Sequence, residues 1–171
     1  MRCGASLAAL LLLAPTACKK RAESAREERR QVMEGLTLSQ SEKGEPSWTL
    51  KSRRAVLRED EKRATLTEPV MEFYKKGKSV SRVTALAGEV ETESNDVRLS
   101  SSVALESFED KSRLTTTELL YNSARGRFTT TAEIVVRRPE GVLRGKGLSA
   151  KPDLSEVRIF NQYSTLTGAP R

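Results

Sequence analysis

The chain of 171 residues contains no histidine, and its two cysteines, Cys3 and Cys18, both lie near the N-terminus. The rest of the chain therefore lacks the imidazole that most often serves as a general base, and it lacks thiols for a disulfide or a thiolate metal site. Aromatic residues make up only 5% of the sequence, so Leu and Val must supply most of any core. These absences argue against an enzyme, and the sequence predicts no catalytic residue, no cofactor and no metal site.

The remaining candidates for chemistry are weak. Glu68, Glu118 and Glu133 are scattered among polar strand positions, where solvated side chains are the ordinary interpretation. The glycines around Lys146 do not form a phosphate-binding loop, because they lack a following helix and the Gly-Lys-Ser/Thr ending.

The net charge of +7 is concentrated at one end. Residues 1–30 hold seven Lys or Arg residues against three Glu residues, and the two signs are interspersed in the remainder. A nucleic-acid-binding module usually has a concentrated basic face with aromatic residues for stacking. The sequence therefore predicts no nucleic-acid partner.

Residues 1–17 have the pattern of an export signal. Arg2 provides the positive charge, Leu7 to Ala14 form the apolar segment, and Thr16 and Ala17 are small residues before Cys18. The apolar segment is shorter than the ~20 residues that span a bilayer. The sequence therefore predicts an exported protein without a permanent transmembrane helix.

The sequence around Cys18 resembles a bacterial lipoprotein cleavage site, at which the cysteine becomes the lipidated N-terminus. Pro15 departs from the Leu that is usual at that position, and the alternative is a plain secretory signal cut nearby, with Cys18 left as a free thiol. Lipidation is favoured because the mature chain has no second cysteine to pair with Cys18. Residues 18–34 follow as a charged linker, either a short helix or a flexible tether.

The stretch Ser112–Ala150 contains three successive β-like segments, rich in Thr, Val, Ile and Leu and separated by turn residues. The same period of two begins at Gly35 and is clearest where Val97, Leu99, Val103 and Leu105 alternate with polar residues. The alternation changes phase near Arg53, which indicates a bulge or a new strand. We therefore predict an all-β antiparallel domain over residues 35–166, built as a sandwich, jelly roll or barrel, and a tail over 167–171. The pattern leaves open whether its interior is packed or contains a slot.

The order of these features resembles the LptC family, the inner-membrane-anchored periplasmic component of the lipopolysaccharide export machine. No single motif is specific, and the resemblance covers Gly35 to Leu166. It is carried by a series of short motifs: Trp48-x-Leu50 with Ala55, Glu68-Pro69-Val70-Met71-Glu72-Phe73, Val83-x-Ala85, Val97-x-Leu99-x-x-x-Val103-x-Leu105, Leu114-x-Thr116-x-x-Leu119-x-Tyr121-Asn122, and Leu143-x-Gly145-x-Gly147-Leu148.

The resemblance implies a twisted, open β-jelly roll that receives the acyl chains of lipopolysaccharide in an apolar groove. The groove residues would be Leu50, Leu66, Val70, Phe73, Val83, Val90, Leu99, Val103, Leu105, Phe128, Ile134, Val136 and Leu143. The N-terminal edge, with Leu36 and Leu38, would pair with the membrane subunits of the ABC transporter. The C-terminal edge, with Val157 and Ile159, would pair with a periplasmic bridge protein of the same fold.

The predicted leader departs from the family, because many members keep a true transmembrane helix. Anchoring through Cys18 to the inner membrane is the expected arrangement, with the outer membrane as the alternative. Two other functions fit the same pattern: a soluble bridge component of the export system, and a structural envelope lipoprotein with a solid β core.

Overall fold

The computed structural model describes residues 30–163. The predicted signal peptide, Cys18, the linker up to residue 29 and the tail lie outside these residues. Residues 30–163 form eleven strands and no helix. This part of the chain therefore contains no helix that could cross a membrane. The strands are β1 (Arg30–Glu42), β2 (Glu45–Arg58), β3 (Arg63–Thr67), β4 (Val70–Lys75), β5 (Lys78–Thr84), β6 (Ala87–Glu91), β7 (Val97–Ser107), β8 (Arg113–Asn122), β9 (Arg127–Arg138), β10 (Gly141–Ala150) and β11 (Val157–Gln162).

The prediction of an all-β antiparallel fold is confirmed. Every strand pairing is antiparallel, and all eleven strands belong to one sheet. The three segments predicted in the stretch Ser112–Ala150 are β8, β9 and β10, and the predicted turns separate them.

Strand β1 includes residues 30–34, which the sequence pattern places in the charged linker. Strand β1 already begins at Arg30, because β2 is long enough to pair with it as far as Arg58. Glu34 adds an ion pair to Arg54 on β2, with 3.4 Å between Glu34 Oε1 and Arg54 Nε. Because this segment is rich in charged residues, its sequence does not show the alternation of a strand, although it forms part of the long β1–β2 hairpin.

Two long strands each pair with two different neighbours along one edge. The first half of β2 pairs with β4 and its second half with β3, while the first half of β7 pairs with β6 and its second half with β5. The short strands therefore form two separate bridges between β2 and β7. One bridge is β4–β5 and the other is β3–β6.

This pairing folds the sheet into two layers. Layer A contains β4 and β5, together with the halves of the long strands that lie beside them, such as the first half of β2 and the second half of β7. Layer B contains β3 and β6, together with the opposite halves of the same long strands. We call the line at which strands cross from one layer to the other the crease. Left-handed backbone marks four of these crossings, at Gly35, at Glu68, at Ser101 with Ser102, and at Gly147, with φ values from 50° to 80°.

The crease also explains the change of phase predicted near Arg53. Ser52 and Arg53 are the two residues of β2 between its pairing with β4 and its pairing with β3. Trp48 and Leu50 are buried before this point and Ala55 is buried after it, so the inward-facing parity changes there. The bend lets one strand supply inward side chains to both layers.

Candidate functional site

The predicted groove residues form a buried interior. Eleven of the thirteen are almost completely buried in a single hydrophobic cluster that draws on both layers, and Leu143 is half-buried and packs against it. The eleven are Leu50, Leu66, Phe73, Val83, Val90, Leu99, Val103, Leu105, Phe128, Ile134 and Val136. The prediction of which side chains point inward therefore agrees with the structure at nearly every position.

Val70 is the exception, because it does not belong to the buried cluster. It is only half-buried, while Met71 and Phe73 on the same strand are buried. Glu68 has a φ of 50° at the crease, and it is followed by Pro69. The bend reverses the parity between β3 and β4, and a prediction that carries one alternation through it selects a residue outside that cluster.

Four aromatic side chains join the two layers at the strand ends farthest from the crease. Trp48 and Phe73 come from layer A, whereas Tyr121 and Phe128 come from layer B. Ring centroids lie 6.2 Å apart for Trp48 and Tyr121, 5.0 Å for Phe73 and Tyr121, and 5.4 Å for Phe73 and Phe128, all in edge-to-face arrangements. We call these four residues the aromatic seam. It closes the interior by side-chain contact alone.

A polar contact extends this closure. Ser123 Oγ donates a hydrogen bond to Gln40 Oε1 at 2.9 Å, joining the β8–β9 turn of layer B to β1 in layer A. The sequence analysis assigns Phe73 and Phe128 to the interior, but it does not predict which distant rings meet.

The crease is held by a different kind of interaction. Ser52 Oγ lies 2.7 Å from Arg54 O and 2.8 Å from Thr67 O, and it accepts a hydrogen bond from Thr67 N at 3.2 Å. Thr116 Oγ1 donates to Glu133 O at 2.8 Å. Buried hydroxyls thus bind the main-chain groups that the bends withdraw from the strand ladder.

A cavity of about 250 Å³ lies beside the aromatic seam. Phe73, Val80 and Tyr121 provide its apolar wall. Arg125, Arg127, Lys75 and Lys151 also line it, together with Asp153. The cavity therefore combines an apolar wall with a mostly cationic rim, as a site for an anionic amphiphile requires.

The loop over residues 151–156, between β10 and β11, covers this end of the interior. Its Leu154 is 1% exposed and belongs to the hydrophobic cluster. The sequence predicts only a turn at Lys151-Pro152-Asp153, because a single apolar residue among turn residues carries no periodic signal. Leu154 is thus a core residue that sequence patterns miss.

The ionisable groups at this end respond to burial. Burial, with smaller effects of the Asp96 and Glu42 charges, raises the pKa of Tyr121 to about 12. Burial also acts to raise the pKa of Asp153, but hydrogen bonds from Ser155 and Lys75 outweigh it and leave that pKa lowered. Tyr121 is therefore neutral and Asp153 ionised at neutral pH.

No group of three or more metal-ligating side chains occurs among residues 30–163. Glu68 and Glu118 form surface ion pairs with Arg53 and Arg98 at 3.1 and 3.0 Å. Such exposed pairs join neighbouring strands and are typical of a solvated sheet face.

The predicted edge residues lie on strands at the two ends of the sheet. Leu36 and Leu38 are in β1, which pairs with β2, and Val157 and Ile159 are in β11, which pairs with β10. All four pack against the interior cluster and are half-buried. Within the described residues, neither β1 nor β11 has a second neighbouring strand, so each leaves one row of backbone groups free to pair.

Comparison with known proteins gives one family. The family model for lipopolysaccharide-assembly, LptC-related proteins matches residues 3–167. A comparison with curated proteins returns no match. A solved structure, that of LptH, described as the LptA homologous periplasmic component of the lipopolysaccharide transport device from Pseudomonas aeruginosa, superposes with a TM-score of 0.48. It is 13% identical, and the alignment covers 85% of this chain and 92% of that chain.

Proposed function

Because the chain belongs to the LptC-related family of lipopolysaccharide-assembly proteins, we propose that it is a periplasmic relay component of lipopolysaccharide export. Its interior receives the acyl chains of lipid A and passes them from the ABC transporter to a bridge protein. The protein has a transport function and performs no catalysis. The family match over residues 3–167 is the observation that carries this proposal.

The continuous apolar interior supports the lipid-binding part of the proposal. Aliphatic side chains from both layers form one cluster without a charged member. Each methylene group transferred from water to such a surface contributes ~0.8 kcal/mol. A surface without specific polar contacts holds a chain by its apolar area alone, which suits a cargo that must move on.

Lipid entry requires the two layers to separate. The interior residues are buried, and backbone hydrogen bonds join the layers at the crease. The aromatic seam and the loop over residues 151–156 are the weaker boundary, since they are held by side chains. Opening at this boundary exposes the cluster while the strand ladder stays intact.

The two edge strands are the proposed partner surfaces. β1, with Leu36 and Leu38, pairs with the membrane subunits of the ABC transporter, and β11, with Val157 and Ile159, pairs with the bridge protein. A strand added to either edge uses the free backbone groups. A photoreactive residue at Ser39 on β1 should capture a transporter subunit, and one at Phe160 on β11 should capture a different, soluble protein. Capture of the same protein at both positions contradicts this assignment.

The anchor is the lipidated Cys18, which holds the domain at the inner membrane; the outer membrane is the alternative location. Labelling cells with a fatty-acid analogue tests this directly. Incorporation should be lost in the Cys18→Ser variant. A chain that incorporates no label is a soluble component, as a bridge protein of the same system would be.

Photo-crosslinking to lipopolysaccharide tests the central proposal. A photoreactive residue replaces Leu105 or Phe128, both of which face the interior, and the matched control replaces Arg98, which faces solvent on β7. We expect lipopolysaccharide adducts at the inward positions and none at Arg98 in cells that export lipopolysaccharide.

A structural envelope lipoprotein is the second candidate function. The closed interior and the edge-to-face ring packing favour it, because a solid core needs no opening. The crosslinking experiment separates the two functions. Absence of an adduct at every inward position leaves the structural function and rejects the relay.

A further inference from the structure

The loop over residues 151–156, which we call the lid, crosses from one layer to the other. It leaves β10 at Ala150, which pairs with Phe128 in layer B, and it returns to layer B at Val157. Between these points it reaches layer A, and Leu154 enters the interior with a φ of 57°. Hydrogen bonds from Leu154 N to Lys151 O and from Lys151 N to Glu156 O, both 3.0 Å, give the lid its shape.

The lid is fastened to layer A through Asp153. Asp153 Oδ2 lies 3.3 Å from Lys75 Nζ, and the backbone oxygen of Asp153 accepts a hydrogen bond from Ser107 Oγ at 2.9 Å. The Lys75 side chain is 57% exposed. Ion pairs with such an exposed partner contribute little to stability, so this attachment is suited to release.

Glu156 forms ion pairs with two of the cations that line the cavity. Its two oxygens lie 2.9 Å from Arg127 Nη1 and 3.2 Å from Lys151 Nζ. Arg125, which also lines the cavity, has no acidic partner in the described part of the chain. The lid therefore places an apolar group in the interior and an anion between cations at the rim.

Unused hydrogen-bonding groups lie in the inward-facing row that ends at Ser107, the residue bonded to the lid. Trp48, Phe73, Ser81 and Ser107 form one inward-facing row across β2, β4, β5 and β7. Trp48 Nε1 and Ser81 Oγ are buried and have no hydrogen-bond partner. Buried polar atoms are usually paired, so this row is suited to a ligand that carries a polar group beside its apolar chain.

We propose that the lid occupies the binding site of a lipid when no lipid is bound. The cavity beneath the lid is the entry site for one acyl chain of a phosphorylated amphiphile. Leu154 occupies the position of the chain, and Glu156 occupies the position of the phosphate. Both leave when the lipid enters, so that Arg127, which lies outside the lid on β9, exchanges a carboxylate for a phosphate. The carbonyl that links the chain to its headgroup accepts the free Trp48 Nε1–H. This inference rests on the proposed function only for the identity of the physiological lipid.

The single tryptophan of the chain belongs to this row and provides the measurement. Trp48 fluorescence is recorded while the full chain is titrated with lauroyl lysophosphatidic acid, which has one acyl chain, an ester carbonyl and a phosphate. Monolauroyl glycerol, which lacks the phosphate, and inorganic phosphate are titrated in parallel. We expect saturable binding of both lauroyl probes, with the phosphorylated one bound more tightly, and no response to inorganic phosphate.

Three carboxylate-to-amide variants separate the two functions of the lid. Asp153→Asn weakens the attachment, and it should lower the Kd about two- to fivefold for both lauroyl probes. Glu156→Gln frees the rim cations and should lower the Kd by a similar factor for the phosphorylated probe, with little change for monolauroyl glycerol. Glu93→Gln is the matched control, because Glu93 forms an ion pair with Lys62 elsewhere on the surface, and it should change neither Kd.

Equal Kd values for the wild-type chain and all three variants overturn the proposal, and so does an equal gain for both probes in Glu156→Gln. The proposed function fails separately. Lid-dependent probe binding without lipopolysaccharide adducts rejects the relay alone, whereas adducts at Phe128 with unchanged Kd values reject the lid alone.

Discussion

The crease and the aromatic seam close the same interior from opposite sides with different interactions. At the crease the strands themselves pass from one layer to the other, and Ser52 and Thr116 bind the backbone groups at the bends. At the seam no strand crosses, and Trp48 and Phe73 meet Tyr121 and Phe128 through ring contacts. One boundary is covalent and polar, and the other is non-covalent and mainly apolar.

This difference shows where the domain can open. Separation at the crease breaks main-chain hydrogen bonds in several strands at once. Separation at the seam breaks ring contacts worth about 0.5–1.5 kcal/mol per pair beyond their buried area, and any lipid that enters replaces the buried area. A fold with one strong and one replaceable boundary is suited to accept an apolar ligand without unfolding.

The largest expected effect of a single substitution is at the seam. Phe128→Ala should lower the free energy of unfolding by about 3–5 kcal/mol, because it removes a fully buried ring and leaves a cavity. Urea denaturation measures the change. Phe160→Ala is the control, since that ring is 60% exposed, and its effect should stay below about 1 kcal/mol. Similar losses for both variants would mean that the seam is no better packed than the surface.

At the crease, Ser52→Ala should cost about 1–3 kcal/mol, because the backbone N–H of Thr67 loses its acceptor and the carbonyl oxygen bound by the Ser52 hydroxyl loses its donor. Ser39→Ala on the exposed face of β1 is the matched control and should be almost neutral. The same denaturation experiment applies. A neutral Ser52→Ala would show that the bends need no side-chain support. The crease would then not be stabilised by buried hydroxyl groups.

Tyr121 makes the seam sensitive to high pH. Its pKa is about 12 in the folded chain and about 10 in the unfolded chain, so the folded state holds the proton more tightly. The resulting stability, about 3 kcal/mol at most, is fully present below pH 10 and is lost as the pH rises towards 12. The stability difference between the wild-type chain and Tyr121→Phe should therefore shift over this interval. A difference that stays constant from pH 9 to pH 12 is incompatible with a buried phenol.

The smallest effect is expected for the attachment of the lid. A double-mutant cycle of Lys75→Ala and Asp153→Ala should give a coupling energy below about 1 kcal/mol, since the Lys75 side chain is exposed to solvent. The coupling should fall further as salt is added. A coupling of several kcal/mol that salt does not change would show that the lid is firmly attached to layer A and does not open.

Much of this fold is predictable from local patterns. The alternation of Val97, Leu99, Val103 and Leu105 predicts an inward face, and the structure buries all four. The change of phase near Arg53, which indicates a bulge or a new strand, coincides with the point at which β2 changes its partner. Local alternation succeeds here because a half-buried strand imposes it on every second residue.

The same reasoning fails where the backbone leaves the ladder. Val70 lies outside the buried cluster because the bend at Glu68 reverses the parity, and the strand at Arg30–Glu34 gives no sequence signal because a charged edge strand has little apolar alternation. Leu154 is missed because its burial depends on contacts of a turn with a distant layer. In each case the deciding interaction is with residues far away in the sequence.

The sequence by itself determines the strands and most of the inward-facing residues, because both depend on residue type and on alternation with a period of two. Only the tertiary structure decides that the two layers meet at the aromatic seam, and that a turn is a lid carrying Leu154 and Glu156. Trp48 and Tyr121 lie on strands that are not hydrogen-bonded to each other. Their ring contact therefore cannot be predicted from a local sequence pattern. It arises from how the whole sheet folds along its crease.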